Sequence, residues 1–164
     1  MTTTATTTAY DVVAAVKDPE LPMLTISDLG ILRDVRQSGD HVTVDITPTY
    51  SGCPAMGAIR ADVTRRLNDA GYPDVDVRTV LQPAWTTDWI TEDGRRTLAE
   101  HGVAPPGPAP RHRVTLTLGR RPPAECPRCG SRDTVEVSAF GSTACKALQR
   151  CTACAEPFEN VKAI

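Results

Sequence analysis

The hydrophobic positions change period several times along the chain. Val12, Val13 and Val16 gather on one side of a short predicted helix, begun by Thr8 and stopped before Pro19. Thr8 and Asp11 have the spacing of a capping box, and a proline disfavours helical backbone in the residue before it. Residues 32–37 and 42–47 read as two strands of a hairpin, with Ser38, Gly39 and Asp40 as turn formers. Val42, Val44 and Ile46 alternate with polar residues, which gives that strand one buried face. Met56, Ile59, Val63, Leu67 and Ala70 then recur at steps of three and four, which predicts an amphipathic helix closed by Gly71. Val75, Val77, Val80 and Leu81 suggest a third strand.

Farther on, residues 92–101 form a short predicted helix with acids in its first turn and Gly102 after it. Thr86, Thr87 and Asp88 are candidates to cap it. Residues 105–110 are too rich in proline for regular structure and read as a stiff connector. Residues 113–118 alternate cleanly and are expected as a fourth strand returning to the first sheet. The pattern divides the chain into a Thr-rich mobile tail (1–8), an α+β domain (9–121) and a cysteine-rich segment (122–164).

Charge and composition narrow the functional classes. The 164 residues carry 18 basic and 20 acidic side chains, a net charge of −2, with 40% hydrophobic residues. That is ordinary globular composition, and the balance argues against dedicated binding to nucleic acid or to an anionic membrane. No apolar run approaches the ~20 residues of a membrane-spanning helix. The first residues lack the basic start and apolar stretch of a secretory signal. A cytoplasmic location is expected, where thiols stay reduced and serve as metal ligands or reactive groups more often than as disulfides.

Five of the six cysteines fall after residue 125. Cys126/Cys129 and Cys151/Cys154 are two C-x-x-C knuckles. A hairpin with arms near Val135/Val137 and 147–149 brings four such sulfurs into a tetrahedron suited to Zn²⁺, with an iron–sulfur cluster as the other candidate. A segment this short needs a staple to fold, and a metal supplies one. Cys145 reads as a core cysteine of the ribbon or as an alternate ligand. Lys146 beside it is placed to lower its pKa.

Cys53 stands apart, just before the helix that starts near Ala55. A thiol at a helix N-terminus meets the positive end of the dipole, so its pKa is expected to fall. Thr47, Thr49 and Ser51 add hydroxyls nearby. Asp18 and Glu20 read as turn acids or as oxygen ligands beside that thiol. His41, His101 and His112 read as solvent-facing side chains, so nothing supports a cysteine–histidine dyad. Trp85 and Trp89 read as core or interface residues.

Asp18-Pro-Glu-Leu-Pro22, Asp28-Leu-Gly30 and Thr49-Tyr-Ser-Gly-Cys-Pro54 resemble the iron–sulfur assembly-factor family that includes SufT-like proteins. The segments 83–90, 126–130 and 140–146 narrow the likeness to the PaaD (PaaJ) family of the phenylacetyl-CoA epoxidase system, over residue 10 to the end. The resemblance implies a small α+β domain followed by a zinc-ribbon-like tail. It implies an accessory role in aerobic phenylacetate degradation, assisting assembly of iron or iron–sulfur sites rather than catalysing a reaction itself. By the same likeness Cys53 is the transfer thiol with Asp18 and Glu20 near it. Cys126, Cys129, Cys151 and Cys154 hold zinc, and a transient iron or iron–sulfur species is the cargo. The implied partners are the oxygenase or reductase subunits and other iron–sulfur assembly proteins, with a homodimer left open.

Two other readings stay open. One is a stable structural subunit with Trp85 and Trp89 at an interface. The other is a nucleic-acid-binding ribbon, suggested by six arginines against one acid in residues 111–132. That stretch has no aromatic residue for bases to stack on.

Overall fold

The structure is a computed structural model that describes residues 8–50, 52–109 and 123–164. The expected strand at 113–118, the boundary at 121/122, His112 and most of the arginine-rich stretch lie outside the described residues. The chain forms two compact units, Met1–Trp85 and Thr86–Ile164.

In the first unit, Thr8 caps α1 (Ala9–Ala14) with both bonds of the capping box in place. The backbone N–H of Thr8 donates to Asp11 Oδ2 at 2.9 Å, and that of Asp11 donates to Thr8 Oγ1 at 3.2 Å. A short bridge between Lys17 and Thr25 then closes the loop that holds Asp18 and Glu20.

β1 (Leu32–Ser38) and β2 (His41–Ile46) form the expected antiparallel hairpin, and β3 (Asp74–Thr79) adds parallel to β2. The crossover from β2 to β3 is α2 (Ala55–Asp69). α2 ends in a Schellman motif: Tyr72 N–H donates to Leu67 O and Gly71 N–H to Asn68 O, both at 3.0 Å, with Gly71 at φ 95°. Ile59, Val63 and Leu67 on α2 and Val42, Val44 and Ile46 on β2 are at most 1% exposed. Val13, Val16, Leu24, Ile26 and Ile31 are buried with them. Full burial of each aliphatic side chain contributes roughly 1.5–3 kcal/mol, so this set is the main source of stability for the unit. Trp85 is also buried, and its indole Nε1–H donates to Leu29 O at 2.8 Å.

The second unit begins with a 3₁₀ turn (Thr87–Trp89) and α3 (Glu92–Glu100). Thr91 caps α3, accepting from Gly94 N–H at 3.0 Å. The expectation that Thr86, Thr87 and Asp88 cap this helix is corrected: Thr86 caps the 3₁₀ turn, whose own backbone separates it from α3. The sheet of this unit has the order β4–β7–β6–β5. Its strands are β4 (Val103–Ala104), β5 (Thr134–Ser138), β6 (Lys146–Cys151) and β7 (Pro157–Val161). β5 and β6 are the expected hairpin arms. β4 and β7 are not legible in sequence, β4 because two residues cannot show alternation. β4 pairs parallel with β7, at Val103/Glu159 and Ala104/Asn160.

Each knuckle ends in a left-handed residue, Gly130 at φ 72° and Ala155 at φ 63°. Glycine takes that conformation freely, whereas alanine is strained there by about 1–2 kcal/mol. Ala155→Gly is therefore expected to stabilise the metal-loaded protein by about 0.5–1 kcal/mol, after the added freedom of the unfolded chain is offset. Thermal unfolding checks this; a lower melting temperature for the variant overturns it.

Candidate functional site

Two sets of chemically active side chains stand out, one in each unit. In the second unit, hairpin β5–β6 and its flanking turns bring Cys126, Cys129, Cys151 and Cys154 together, with all four sulfurs within 4.8 Å of one another. Cys126 Sγ lies 3.8 Å from Cys154 Sγ, and Cys129 Sγ lies 3.6 Å from Cys151 Sγ. Four sulfurs around zinc at bonds of about 2.3 Å stand about 3.8 Å apart, so the donor set fits that ion. None of the four forms a disulfide.

The backbone around these sulfurs favours anions. Cys151 is pulled down to about 7, first by the backbone N–H of Cys154 and also by that of Ala153. Cys129 has the backbone N–H of Ser131 drawing it down, yet the sulfurs of Cys154, Cys151 and Cys126 push it up to about 12. Four neighbouring thiols cannot all ionise alone; a divalent cation among them removes that penalty. Cys126 and Cys151 are also core residues, packed with Ala104 and Phe158. The metal cage and the small hydrophobic core of this unit are thus one structure.

In the first unit, Cys53 is half-buried in the connection from the C-terminal end of β2 to α2. Crevices at the carboxyl ends of strands are where α/β crossovers place ligands. Gly52 before it takes φ 83°. The expected fall in the Cys53 pKa is corrected. Burial pushes the thiol up, and the charges of Glu20 and Asp18 add to that rise. The backbone N–H of Ala55 and the hydroxyl of Thr49 act the other way without prevailing. The helix N-terminus is present, but desolvation and two carboxylates outweigh it. Asp18 is 5% exposed, and its Oδ1 accepts from the backbone N–H groups of Glu20 (2.9 Å) and Leu21 (2.7 Å). The chain thus folds a turn around one carboxylate and brings a second to act on the same thiol.

The other candidates fall elsewhere. Cys145 is half-buried, 3.1 Å from Thr143 Oγ1, and is not among the clustered sulfurs. Sequence adjacency gives Lys146 to Cys145, but its ammonium is buried and sits 3.0 Å from Glu159 Oε2. Of the two readings of Trp85, the core one matches its burial and its bond to Leu29. Trp89 is half-buried. His41 is not simply solvent-facing: Nδ1 sits 2.8 Å from Asp74 Oδ2, and Nε2 lies 3.1 Å from Thr43 Oγ1. His101 Nδ1 lies 2.8 Å from Thr97 O. Sequence reading missed Glu159, whose partners are brought together only by strand register. It also missed Arg128, which pairs with Glu156 beside the sulfur cluster. Among the described residues no helix is long and apolar enough to cross a membrane.

Comparison with known proteins matches this two-part layout. Residues 7–81 match the family described as iron-sulfur cluster assembly protein, and residues 110–162 match the PaaD zinc beta ribbon domain. A protein of Escherichia coli (strain K12), described as one of the subunits of a 1,2-phenylacetyl-CoA epoxidase, is 47% identical over 94% of this chain and 91% of its own. The chain belongs to the PaaD family. An Fe-S protein maturation auxiliary factor of Porphyromonas gingivalis (strain ATCC BAA-308 / W83) is 34% identical over 48% of the chain and 75% of its own length. A crystal structure of a domain of unknown function (DUF59) from Bacillus anthracis shares 30% identity. It superposes with a TM-score of 0.51 and covers 55% of this chain and 87% of that one. The α+β assignment with a ribbon-like cysteine segment agrees with these likenesses. In this PaaD-family chain the four clustered cysteines are a metal-binding set.

Two outcomes follow from the geometry. Stripping metal with a chelator should unfold the second unit while the first keeps its structure, because only the second has sulfurs in its core. Limited proteolysis checks this, and equal resistance of both units before and after chelation overturns it. Replacing Glu20 with Gln should lower the Cys53 pKa, because it removes a negative charge that raises it. Alkylation of Cys53 by iodoacetamide in the metal-loaded protein, followed by peptide mass spectrometry at pH 8, should then run faster than in wild type. An unchanged rate means that the Glu20 charge does not reach the thiol.

Proposed function

We propose that this PaaD-family chain is an accessory component of a phenylacetyl-CoA epoxidase system that assists assembly of iron or iron–sulfur sites in its partner subunits. The observation that carries the reading is the half-buried Cys53 at the β2–α2 connection, whose thiol feels the charges of Glu20 and Asp18. Cys53, Asp18 and Glu20 do not form a three-ligand cluster in this structure, so the thiol is the donor offered to iron and the two acids act on it through their charge. The likeness to an Fe-S protein maturation auxiliary factor supports the same reading for the first unit.

The electrostatics give the site a way to stay empty until needed. Burial and the two acids favour the protonated thiol. An arriving iron species is the substrate, and its positive charge reverses that balance. The thiol then releases its proton as it ligates. Leaving restores the protonated form, so the same residues favour release once a better acceptor is at hand. The four-cysteine set of the second unit has a different duty: zinc held there supplies folding energy and no redox chemistry. The oxygenase and reductase subunits of the system are the acceptors in this reading.

The test is co-expression of the chain with the other subunits of the epoxidase, as wild type and as Cys53→Ser. The variant should keep its zinc and its association with those subunits. Their iron content and epoxidase activity should fall several-fold together. Full iron content and activity with Cys53→Ser would sink the transfer role and leave a structural subunit in its place.

A further inference from the structure

Four thiolates around one divalent ion leave an excess of negative charge, and the groups around the sulfurs must offset it. Part of the relief comes from the backbone. The N–H of Ser131 donates to the sulfur of Cys129, those of Cys154 and Ala153 to Cys151, and that of Glu156 to Cys154. These are dipoles and carry no net charge. Arg128 adds a full positive charge, from a position inside the first knuckle between Cys126 and Cys129.

Arg128 reaches across to the second knuckle. Its Nη1 donates to Glu156 Oε2, and Glu156 stands two residues past Cys154. Both ends of this link rise from fixed backbone. In the first knuckle Gly130 N–H donates to Cys126 O at 2.8 Å, and Cys126 N–H to Ser131 O at 2.9 Å. In the second, Cys151 N–H donates to Glu156 O at 2.9 Å, closing the turn that Ala155 makes at φ 63°.

The pair is open to water, with side chains 67% and 36% exposed, and an ordinary surface pair of this kind contributes little. This one has a third party. Besides the bond to Glu156, the charges of Cys154 and Cys126 hold the Arg128 guanidinium above its ordinary range. Those two sulfurs come one from each knuckle and stand 3.8 Å apart. Arg132 offers a contrast. It follows the same knuckle, but its partner is Glu125, at 3.5 Å.

We propose that Arg128 is a positioning residue of the metal site: aligned by Glu156, its charge offsets the excess negative charge on Cys126 and Cys154 and sets how firmly the two knuckles hold zinc. The loaded site is an anion, so a fixed cation beside it favours the loaded state. The same cation lowers the energy of the sulfur lone pairs. Lysine keeps the charge but not the planar fork that meets Glu156. The inference concerns the four-cysteine set alone and stands whether or not Cys53 transfers iron.

The test uses the full-length chain loaded with zinc, and the same chain loaded with cobalt(II), whose sulfur-to-metal charge-transfer band reports the lone-pair energy. Arg128→Gln should release zinc to an excess of chromogenic chelator several-fold faster than wild type, and its cobalt band should move to longer wavelength. Arg128→Lys should recover most of both effects. The double variant Arg128→Gln/Glu156→Gln leaves no orphan acid and should still show the band shift. Arg132→Gln should change neither readout. Rising salt should narrow the gap in release rate between wild type and Arg128→Gln. An unmoved band in Arg128→Gln overturns the proposal even where zinc leaves faster, since the side chain then only packs the knuckle. A double variant that behaves as wild type overturns it too, because the two charges then cancel at the sulfurs. So does Arg128→Lys doing no better than Arg128→Gln, or Arg132→Gln matching Arg128→Gln, which would mean that any nearby cation serves.

Discussion

Four sulfurs within 4.8 Å of one another cannot all be thiolates unless a cation sits among them. The second unit depends on that constraint. Two of the four cysteines are also its core, packed with Ala104 and Phe158, so the sheet has little apolar matter to fall back on. Its register follows from the same requirement. β5 and β6 pair with Thr134 opposite Cys151, which brings both knuckles to the open end of the hairpin, and β7 then completes the sheet against β6.

The first unit has the opposite economy. Its aliphatic core is complete, from Val13 and Val16 through Ile46 to Leu67. Among the described residues, no cysteine is buried in it. That leaves Cys53 available for chemistry, at the one place where the chain leaves β2 and enters α2. Sulfur is thus used twice in different surroundings. In the ribbon, backbone N–H groups point at the sulfurs and favour ligation. At Cys53, burial and two carboxylates hold the thiol protonated. The two sulfur settings thus differ in electrostatics as well as in ligand number.

Much of the fold is legible in sequence because it rests on short-range rules. The capping box of Thr8 and Asp11, the alternation of Val42, Val44 and Ile46, and the Gly71 terminator each act within a few residues. The four metal cysteines are legible for a similar reason, since a C-x-x-C spacing already fixes two sulfurs on one turn. β4 and β7 are not legible, because a two-residue strand and one opened by Pro157 carry too little pattern.

What needed the tertiary structure is the balance of fields and the pairing of distant residues. A helix N-terminus alone argues for a lowered Cys53 pKa; the loop that carries Asp18 and Glu20 back to the thiol reverses the sign. Lys146 is adjacent to Cys145 in sequence, yet strand register gives it to Glu159. Trp85 finds its partner 56 positions away, at Leu29 O. The sequence by itself determined most of the elements, the clustered cysteines and the lone thiol, because those depend on residue type and local spacing. The structure decided the protonation preference and the ion-pair partners, because each depends on which distant groups burial brings within reach of one another.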